Sequence, residues 1–522
     1  MDVTIDNGSN LSKDKVKKRE SLGLTIGRDV NFSEWYQQTV TKTQMIEYTD
    51  ISGCYILRPN SYAIWEEIQK FFDSLIKKDG VKNTYFPCFV TKKAIEFETE
   101  NFEGFSPEIA WITKYGTTDL HEPIGLRPTS EAIIYPTISK WIRSYQDLPL
   151  RLNQWCNVVR WEMKRCIPFI RSREFLWQEG HSSFATKQEA DQEVFKILDF
   201  YKCVYENLLA IPVTQGKKTD REKFAGAEFT TTIEIFVGPT GRSIQGATSH
   251  SLGQKFSKVL NIWFEDDKHN KCLVWQNSWG MSTRSIGAMV MIHGDDKGLR
   301  LPPRVAPIQV IIVPIFNKNN EKMIDMVIDK ICSCLLNIGV RVEIDKGNGS
   351  PGWKYNYWEM RGIPIRLEIG QKEIETSTVV TYRRDQQTKE RVHLCDLSTK
   401  IPSLLNDIHN HLYSEANKIK NKNTIQLLTF SEFIVCLNNK CVALVPFCLT
   451  KECEDNIKIR SKNEYQCHDQ NSNHENENEN ESIGCAKSLC RPLDQPTLVA
   501  GTKCFGECGK YAKEWCLFGR SY

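Results

Sequence analysis

The sequence predicts an α+β protein: a large antiparallel sheet flanked by helices, then a small α/β unit, then a cysteine-rich α+β unit. Three observations carry this. The stretch Val158 to Thr186, "VVRWEMKRCIPFIRSREFLWQEGHSSFAT", sorts by parity into two extended halves around "RCIPFIRSR", where Pro168 cannot donate to a ladder and suits a connecting loop. "FTTTIEIFVGPTGRSIQGATSHSLG" alternates like two strands joined at Gly238, Pro239, Thr240 and Gly241. Two helical stripes accompany these hairpins, and helices packed on an antiparallel sheet follow from the mixture.

Taken in order, residues 1–20 are polar and lysine-rich and are expected to be disordered. In "SYAIWEEIQKFFDSLIKKDG", Trp65, Ile68, Phe72 and Leu75 recur at helical spacing and Gly80 is a stop signal. "VKNTYFPCFV" is an extended segment broken by Pro87. In the first hairpin, Arg160, Glu162 and Lys164 share one face of the first half, and Phe175, Trp177, Glu179 and His181 share a face of the second. Such a face is either well solvated or holds a polyanion, because charges seldom face inward unsatisfied. A second helix, "QEADQEVFKILDFYKCVYENLLA", sets Val194, Ile197, Tyr201, Tyr205 and Leu208 on one stripe.

Gly and Pro cluster in "HGDDKGLRLPPRVAP", which marks a domain break. Beyond it, "IQVIIVPIF", a helix, "VRVEID", "YNYWEMRG", "IPIRLEIG", "TVVTYRR" and a last helix read as a small α/β domain. The units expected are therefore 21–296, 297–410 and 411–522, with a low-complexity loop at 468–482 inside the last.

Composition bounds the function. The chain has 522 residues, enough for two to four domains, and a net charge of only +3, so any nucleic-acid binding must come from local patches. The first residues hold no apolar core like that of a signal peptide and no later run reaches membrane-spanning length, so a cytoplasmic location is the expectation. Of the nineteen cysteines, ten lie from Cys436 to Cys516; clustered thiols without an oxidising compartment favour a metal site.

Three separated segments address one anion: the first hairpin with Arg160 and Arg171; "GRSIQGATSHSLG", where Thr248 and His250 share parity and Gly246 can break the alternation after Gln245; and "QNSWGMSTRSIG", where Gly280, Ser282 and Arg284 precede an apolar helix. No GxxxxGK[ST] and no Rossmann fingerprint occurs. A nucleotide bound here would be held by arginines on a sheet.

These segments resemble the three signature motifs of class II aminoacyl-tRNA synthetases. More narrowly, "LRPTSE", "RWE", "REFLWQEGH", "GRSIQGATSHSLGQ", "QNSWGMSTRSIG" and the closing "LFGRSY" are similar to class IIa prolyl-tRNA synthetases of the eukaryotic and archaeal type, over residues 25–522. The resemblance implies a class II catalytic domain, an α/β anticodon-binding domain and a C-terminal zinc-binding-like domain. It also implies ATP-dependent ligation of L-proline to tRNA(Pro), in a homodimer joined around Pro87, with ATP and Mg2+ as cofactors. In the first step a carboxylate, already ionised at neutral pH, attacks the α-phosphate, so positioning and charge neutralisation are the protein's task.

By resemblance, Arg160 contacts the α-phosphate, Arg171 and Arg284 hold the outer phosphates, and Ser172, Ser282 and Thr248 belong to the ATP site. Gln245, with Glu162 or Glu234, would bridge magnesium; Arg160, Glu162 and Arg284 form the catalytic set. Thr129 and Glu131 would take the substrate amine, while Trp177, Glu179, His181, Phe224 and His250 wall the proline pocket beside Arg160. For both histidines a purely structural role is an equal alternative, and Phe224 has ordinary core as its own.

A pocket distinguishes a missing methylene by only about 1–3 kcal/mol, so alanine should be activated appreciably. Too few residues separate His181 from Gln245 for the inserted editing domain of bacterial-type relatives, so no cis editing of alanyl-tRNA is expected. In the second unit Trp353, Lys354, Arg361, Arg366, Lys372, Arg383 and Arg384 supply the basic and aromatic types that read unpaired bases, a solvated basic surface being the alternative. In the third, Cys448, Cys453, Cys504 and Cys508 suit tetrahedral zinc, although three residues separate the second pair, wider than the family's spacing suggests. Cys436, Cys441, Cys485 and Cys490 offer competing pairs, and Tyr522 resembles a residue that folds back toward the catalytic domain. A threonine-specific class IIa enzyme lacks its Cys and His set here, and a non-catalytic paralogue would be expected to have lost one of Arg160, Arg171 and Arg284.

Overall fold

The structure, a computed structural model, describes residues 23–101, 108–161, 165–316, 321–469 and 485–522. The 1–20 extension and most of the 468–482 loop lie outside the described residues.

An eleven-stranded sheet organises the molecule. Its antiparallel centre runs, in spatial order, Val213–Lys217, Phe229–Val237, Arg242–Gly253, Trp275–Ser282, Glu174–Phe184 and Leu150–Val159. Both hairpins read from the sequence are present. The 229–237 and 242–253 strands join across the expected turn, and their register slips between Ile233 and Glu234 so that Gly246 is left over as a bulge. A bulge flips parity, which brings Gln245 onto the face of Thr248 and His250. A side chain at Gly246 would run into the Tyr205 ring, whose hydroxyl donates to the Gly246 carbonyl at 2.9 Å.

The expected first strand of the other hairpin is shorter than its charge pattern suggested. It ends at Val159; the Arg160 amide still donates in register to the Arg173 carbonyl at 2.7 Å, but the Trp161 amide turns to the Glu108 carbonyl at 3.0 Å. The chain therefore leaves the ladder just after Arg160, and the expected companions Glu162 and Lys164 lie outside the described residues.

Helices cover the back of this sheet. Pro59–Lys78 buries Trp65, Ile68 and Phe72 as expected, while Ile76 and not Leu75 completes the stripe; Gly80 follows at φ +85°. Lys187–Cys203, capped by the reciprocal Thr186 and Glu189 bonds, continues through a π-helical turn to Leu208. Its five predicted stripe residues are all buried, and Phe72 stacks on Tyr201 at 5.1 Å. Truncating a ring at this junction should cost about 3–5 kcal/mol.

The second unit is a five-stranded sheet in the order Val342–Ile344, Val310–Pro314, Ile365–Ile369, Thr378–Arg383 and Thr388–His393, parallel for the first three and antiparallel thereafter. "YNYWEMRG" falls in the helix Pro351–Met360 and the turn after it. The final helix, Leu397–Lys422, runs through the division expected at 410/411, and its Leu412 packs in the second unit's core. Its buried stripe, from Leu397 through Ile401, Leu404, Leu405, Ile408 and Leu412 to Ala416, continues past Pro402 and across that division.

The C-terminal unit does not stand apart. Its strand Lys487–Pro492 pairs with Val213–Lys217, and Glu514–Ser521 runs parallel to the start of the 242–253 strand, so catalytic and C-terminal units share one sheet. Among the described residues no helix is long and apolar enough to cross a membrane.

Candidate active site

On the sheet face away from the helices lies a cavity of about 290 Å³. It gathers Thr129, Glu131, Arg160, Trp177, Glu179, His181, Phe224, Gln245, Thr248, His250, Ser282 and Arg284, every proline-pocket residue and most of the ATP set named from the sequence. A neighbouring cavity of about 130 Å³ shares Glu222, Gln245 and Arg284 with it and adds Arg171, Glu234 and Tyr522. Ser172, half-buried after Arg171, lines neither.

Parity and register aim these groups. Phe175, Trp177, Glu179 and His181 alternate inward along one strand, while Gln178 points back and accepts from the Tyr201 hydroxyl at 2.8 Å. The Arg160 guanidinium lies over Phe175 at 5.5 Å and Trp177 at 5.4 Å, and its Nε donates to the Pro128 carbonyl at 3.0 Å. Carbonyl and aromatic contacts of this kind fix the group without neutralising it.

One end of the cavity is acidic. The Glu131 carboxylate accepts from the Thr129 hydroxyl, and buried Glu179 accepts from Ser130 and Gln154. Its other oxygen lies 3.4 Å from His181 Nε2, and His181 Nδ1 lies 3.0 Å from the Tyr135 hydroxyl. Burial pushes the Glu179 carboxyl up, but His181 and the Ser130 and Gln154 donors outweigh it and hold the group below its ordinary range. Burial likewise pulls His181 down, yet the Glu179 bond and the charge of Glu131 leave it raised. His250 differs: burial, then the nearby His181, lower it to about 3. Its Nδ1 meets the Thr230 hydroxyl at 2.9 Å and its ring packs 4.7 Å from Phe224. His250 is therefore a neutral wall, while Glu179 and Glu131 favour the protonated form of His181.

The other end is cationic. Arg284 donates from Nε to the Ile170 carbonyl at 3.1 Å and from a terminal nitrogen to the Gln245 carbonyl at 3.2 Å. Burial, then the positive charges of Arg160 and Arg171, depress its pKa. Arg284 lines both cavities, with Arg160 in the first and Arg171 in the second, so guanidinium groups from two segments border neighbouring cavities, a placement that favours binding an anion. Glu234 sits in the second cavity with one oxygen already accepting from Lys218 Nζ at 2.7 Å and Thr232 Oγ1 at 2.8 Å. Lys218, raised against its burial by this carboxylate, stays charged.

Ser130, Gln154, Thr230, Glu222 and Ser278 belong to the site and were not read from the sequence. Gln154 faces Glu179 across the ladder, which only the hairpin register reveals.

In the C-terminal unit the thiols of Cys448, Cys453, Cys504 and Cys508 lie within 4.8 Å of one another, with Cys448–Cys508 at 3.6 Å and Cys453–Cys504 at 3.8 Å. Tetrahedral zinc with Zn–S bonds of about 2.3 Å spaces its sulfurs by roughly 3.8 Å, so the donor set fits. The wider second spacing is absorbed by Glu507, which turns the chain at φ +58°. Cys436, Cys441, Cys485 and Cys490 stay outside this cluster. Tyr522 reaches the catalytic sheet, its amide donating to Ser243 at 3.1 Å and its hydroxyl to Thr240 at 3.2 Å.

Comparison with known proteins agrees with this geometry. Residues 113–293 match the tRNA synthetase class II core domain (G, H, P, S and T), residues 309–404 the anticodon binding domain, and residues 430–522 the prolyl-tRNA synthetase C-terminal domain. The chain is 50% identical to the cytoplasmic proline–tRNA ligase of Arabidopsis thaliana, covering 99% of this chain and 94% of that one. It is 44% identical to the proline–tRNA ligase of Encephalitozoon cuniculi, over 97% of this chain and 100% of that one. A crystal structure of the Cryptosporidium parvum prolyl-tRNA synthetase, complexed with halofuginone and AMPPNP, superposes with a TM-score of 0.88 at 46% identity, over 96% of this chain and 97% of that one. With its core, anticodon-binding and C-terminal domains all matched, the chain belongs to the class II prolyl-tRNA synthetases, the proline–tRNA ligases.

Proposed function

We propose that this chain joins L-proline to tRNA(Pro) with the residues gathered in the two cavities. The placement of Arg160 and Arg284 on the first cavity and of Arg171 and Arg284 on its neighbour is the observation that carries the reading. Proline sits at the acidic end, its ammonium against Glu131 and Thr129 and its ring between Trp177, Phe224 and His250. ATP lies over the sheet with its α-phosphate at Arg160 and its outer phosphates toward Arg171 and Arg284. Ser282 and Thr248 line the same floor. Proline's carboxylate oxygen then bonds to the α-phosphorus as the bond to the bridging oxygen breaks, and pyrophosphate leaves with the electron pair. No strong base is required, since the nucleophile is already ionised. The guanidinium groups stabilise charge that grows on the phosphates, where preorganised donors have most effect. A hydroxyl of the terminal adenosine of the tRNA next bonds to the prolyl carbonyl carbon as the acyl–phosphate bond breaks, AMP leaves with the electron pair, and the hydroxyl gives up its proton.

Magnesium would sit at Gln245 with the free oxygen of Glu234, supplying charge neutralisation when bound. Structural zinc would be held by Cys448, Cys453, Cys504 and Cys508. The reading includes a homodimer formed around Pro87, a cytoplasmic location, tRNA contacts by the basic and aromatic side chains of the second unit, and no hydrolysis of alanyl-tRNA by this chain. Amino-acid-dependent exchange of pyrophosphate into ATP, run across all twenty substrates, tests it. Proline should dominate, with alanine as a weaker substrate, and Arg160→Ala should abolish exchange with the fold intact; exchange driven by another amino acid, or unaffected by that change, would overturn it.

A further inference from the structure

The second cavity has walls from two domains. Arg171, Lys218, Glu222, Glu234, Gln245 and Arg284 come from the catalytic domain, while Lys487, Ser488, Leu489, Ser521 and Tyr522 come from the C-terminal unit. The join is built. Lys218 Nζ donates both to Glu234 at 2.7 Å and to the Leu489 carbonyl at 2.8 Å. Thr219 and Ser488 lie 3.1 Å apart by their hydroxyls, and both donate to Glu454. These contacts hold the start of the Lys487–Pro492 strand against the chamber.

The charge is unbalanced. Four cationic side chains meet two carboxylates there, and one of those, Glu234, is consumed by Lys218. Arg171, Arg284 and Lys487 have no carboxylate within ion-pair distance among the described residues. Position gives the chamber a direction. The acidic end of the first cavity receives the attacking amino acid, Arg284 and Gln245 are common to both cavities, and in-line displacement expels the leaving group on the side opposite the nucleophile.

We propose that the second cavity is the exit chamber for pyrophosphate and that Lys487, supplied by the C-terminal domain, contacts the departing anion. This rests on the reading of Arg171 and Arg284 as outer-phosphate ligands. The bond between the α-phosphorus and the bridging oxygen breaks, the pyrophosphate carries the electron pair and the added charge, and the chamber's cations accompany it out. The C-terminal domain thereby becomes part of the catalytic site, not an appendage to it.

Proline-dependent pyrophosphate–ATP exchange on the full chain tests this with labelled inorganic pyrophosphate as the probe. Lys487 is exposed, so its substitution should leave folding intact. Lys487→Ala should raise the KM for pyrophosphate about 5–10-fold, as loss of one charge-assisted contact at a partly open site would, with the KM for proline unchanged. Lys487→Arg should stay within about 2-fold of the parent, because it keeps the charge. An unchanged pyrophosphate KM in Lys487→Ala, with a raised one in Arg171→Ala, would overturn the proposal and leave the triphosphate reading standing. If Arg171→Ala also left it unchanged, both would fall.

Discussion

Replacing Arg284 with Gln should separate stability from activity in one experiment. Of its five N–H donors, two kinds of nitrogen already serve the Ile170 and Gln245 carbonyls, and the remainder face the cavity. Losing two charge-assisted contacts to phosphate oxygens costs about 1.5–3 kcal/mol each, and a glutamine amide recovers part of one. A net loss of about 3–4 kcal/mol in the transition state corresponds to roughly 10²–10³ in rate. The empty protein should respond differently. Arg160 and Arg171 repel Arg284, so removing its charge relieves that repulsion and offsets the two lost carbonyl contacts. We therefore expect pyrophosphate exchange to fall about 100–1000-fold, while the Tm without ligand changes by no more than about 2 °C. The Tm gain from a non-hydrolysable ATP analogue should shrink with it. Exchange within about threefold of the parent would refute the reasoning, because Arg284 would then contribute too little to be a ligand of the transition-state phosphates.

Glu131→Gln should raise the KM for proline by about 10–100-fold and leave that for ATP nearly unchanged, as measured by exchange kinetics, since the charge it removes lies at the amino-acid end of the cavity. His250 titrates at about 3 in the fold, below its ordinary value near 6.5, so the unfolded chain binds more protons between those values. Its contribution to stability is therefore lost as pH falls below about 6.5, and His250→Asn should flatten the acid limb of the Tm profile. His181 is raised, so its contribution is present at low pH and lost as pH rises through its folded value; His181→Asn should narrow the Tm gap from the parent in alkaline buffer. Elemental analysis should find one zinc per chain, and Cys504→Ser should release it and lower the Tm; a metal-free, equally stable parent would contradict the four-thiolate assignment.

Legibility in the sequence followed local physics. Alternation and helical stripes announced both hairpins and the Lys187–Leu208 helix, because a half-buried strand or helix must repeat its apolar positions. The Gly246 bulge was legible too, since a lone glycine in an alternating run marks a place where another group approaches, here Tyr205. What escaped depended on register and long-range pairing. Gln154 opposite Glu179, and Thr230 against His250, are set by which residue faces which across a ladder. The continuation of the catalytic sheet into the C-terminal strands follows from contacts between residues hundreds of positions apart, such as Lys218 with Leu489, which no periodicity encodes. The early end of the 150–159 strand is of the same kind: past Arg160 the Trp161 amide pairs with the Glu108 carbonyl, a contact beyond the reach of parity.

The most direct test of the account is a crystal structure with L-proline and a non-hydrolysable ATP analogue bound. The account predicts the α-phosphate at Arg160, the outer phosphates between Arg171 and Arg284, and the proline nitrogen at Glu131. A triphosphate bound elsewhere, with those three guanidinium groups still facing an empty cavity, would contradict it.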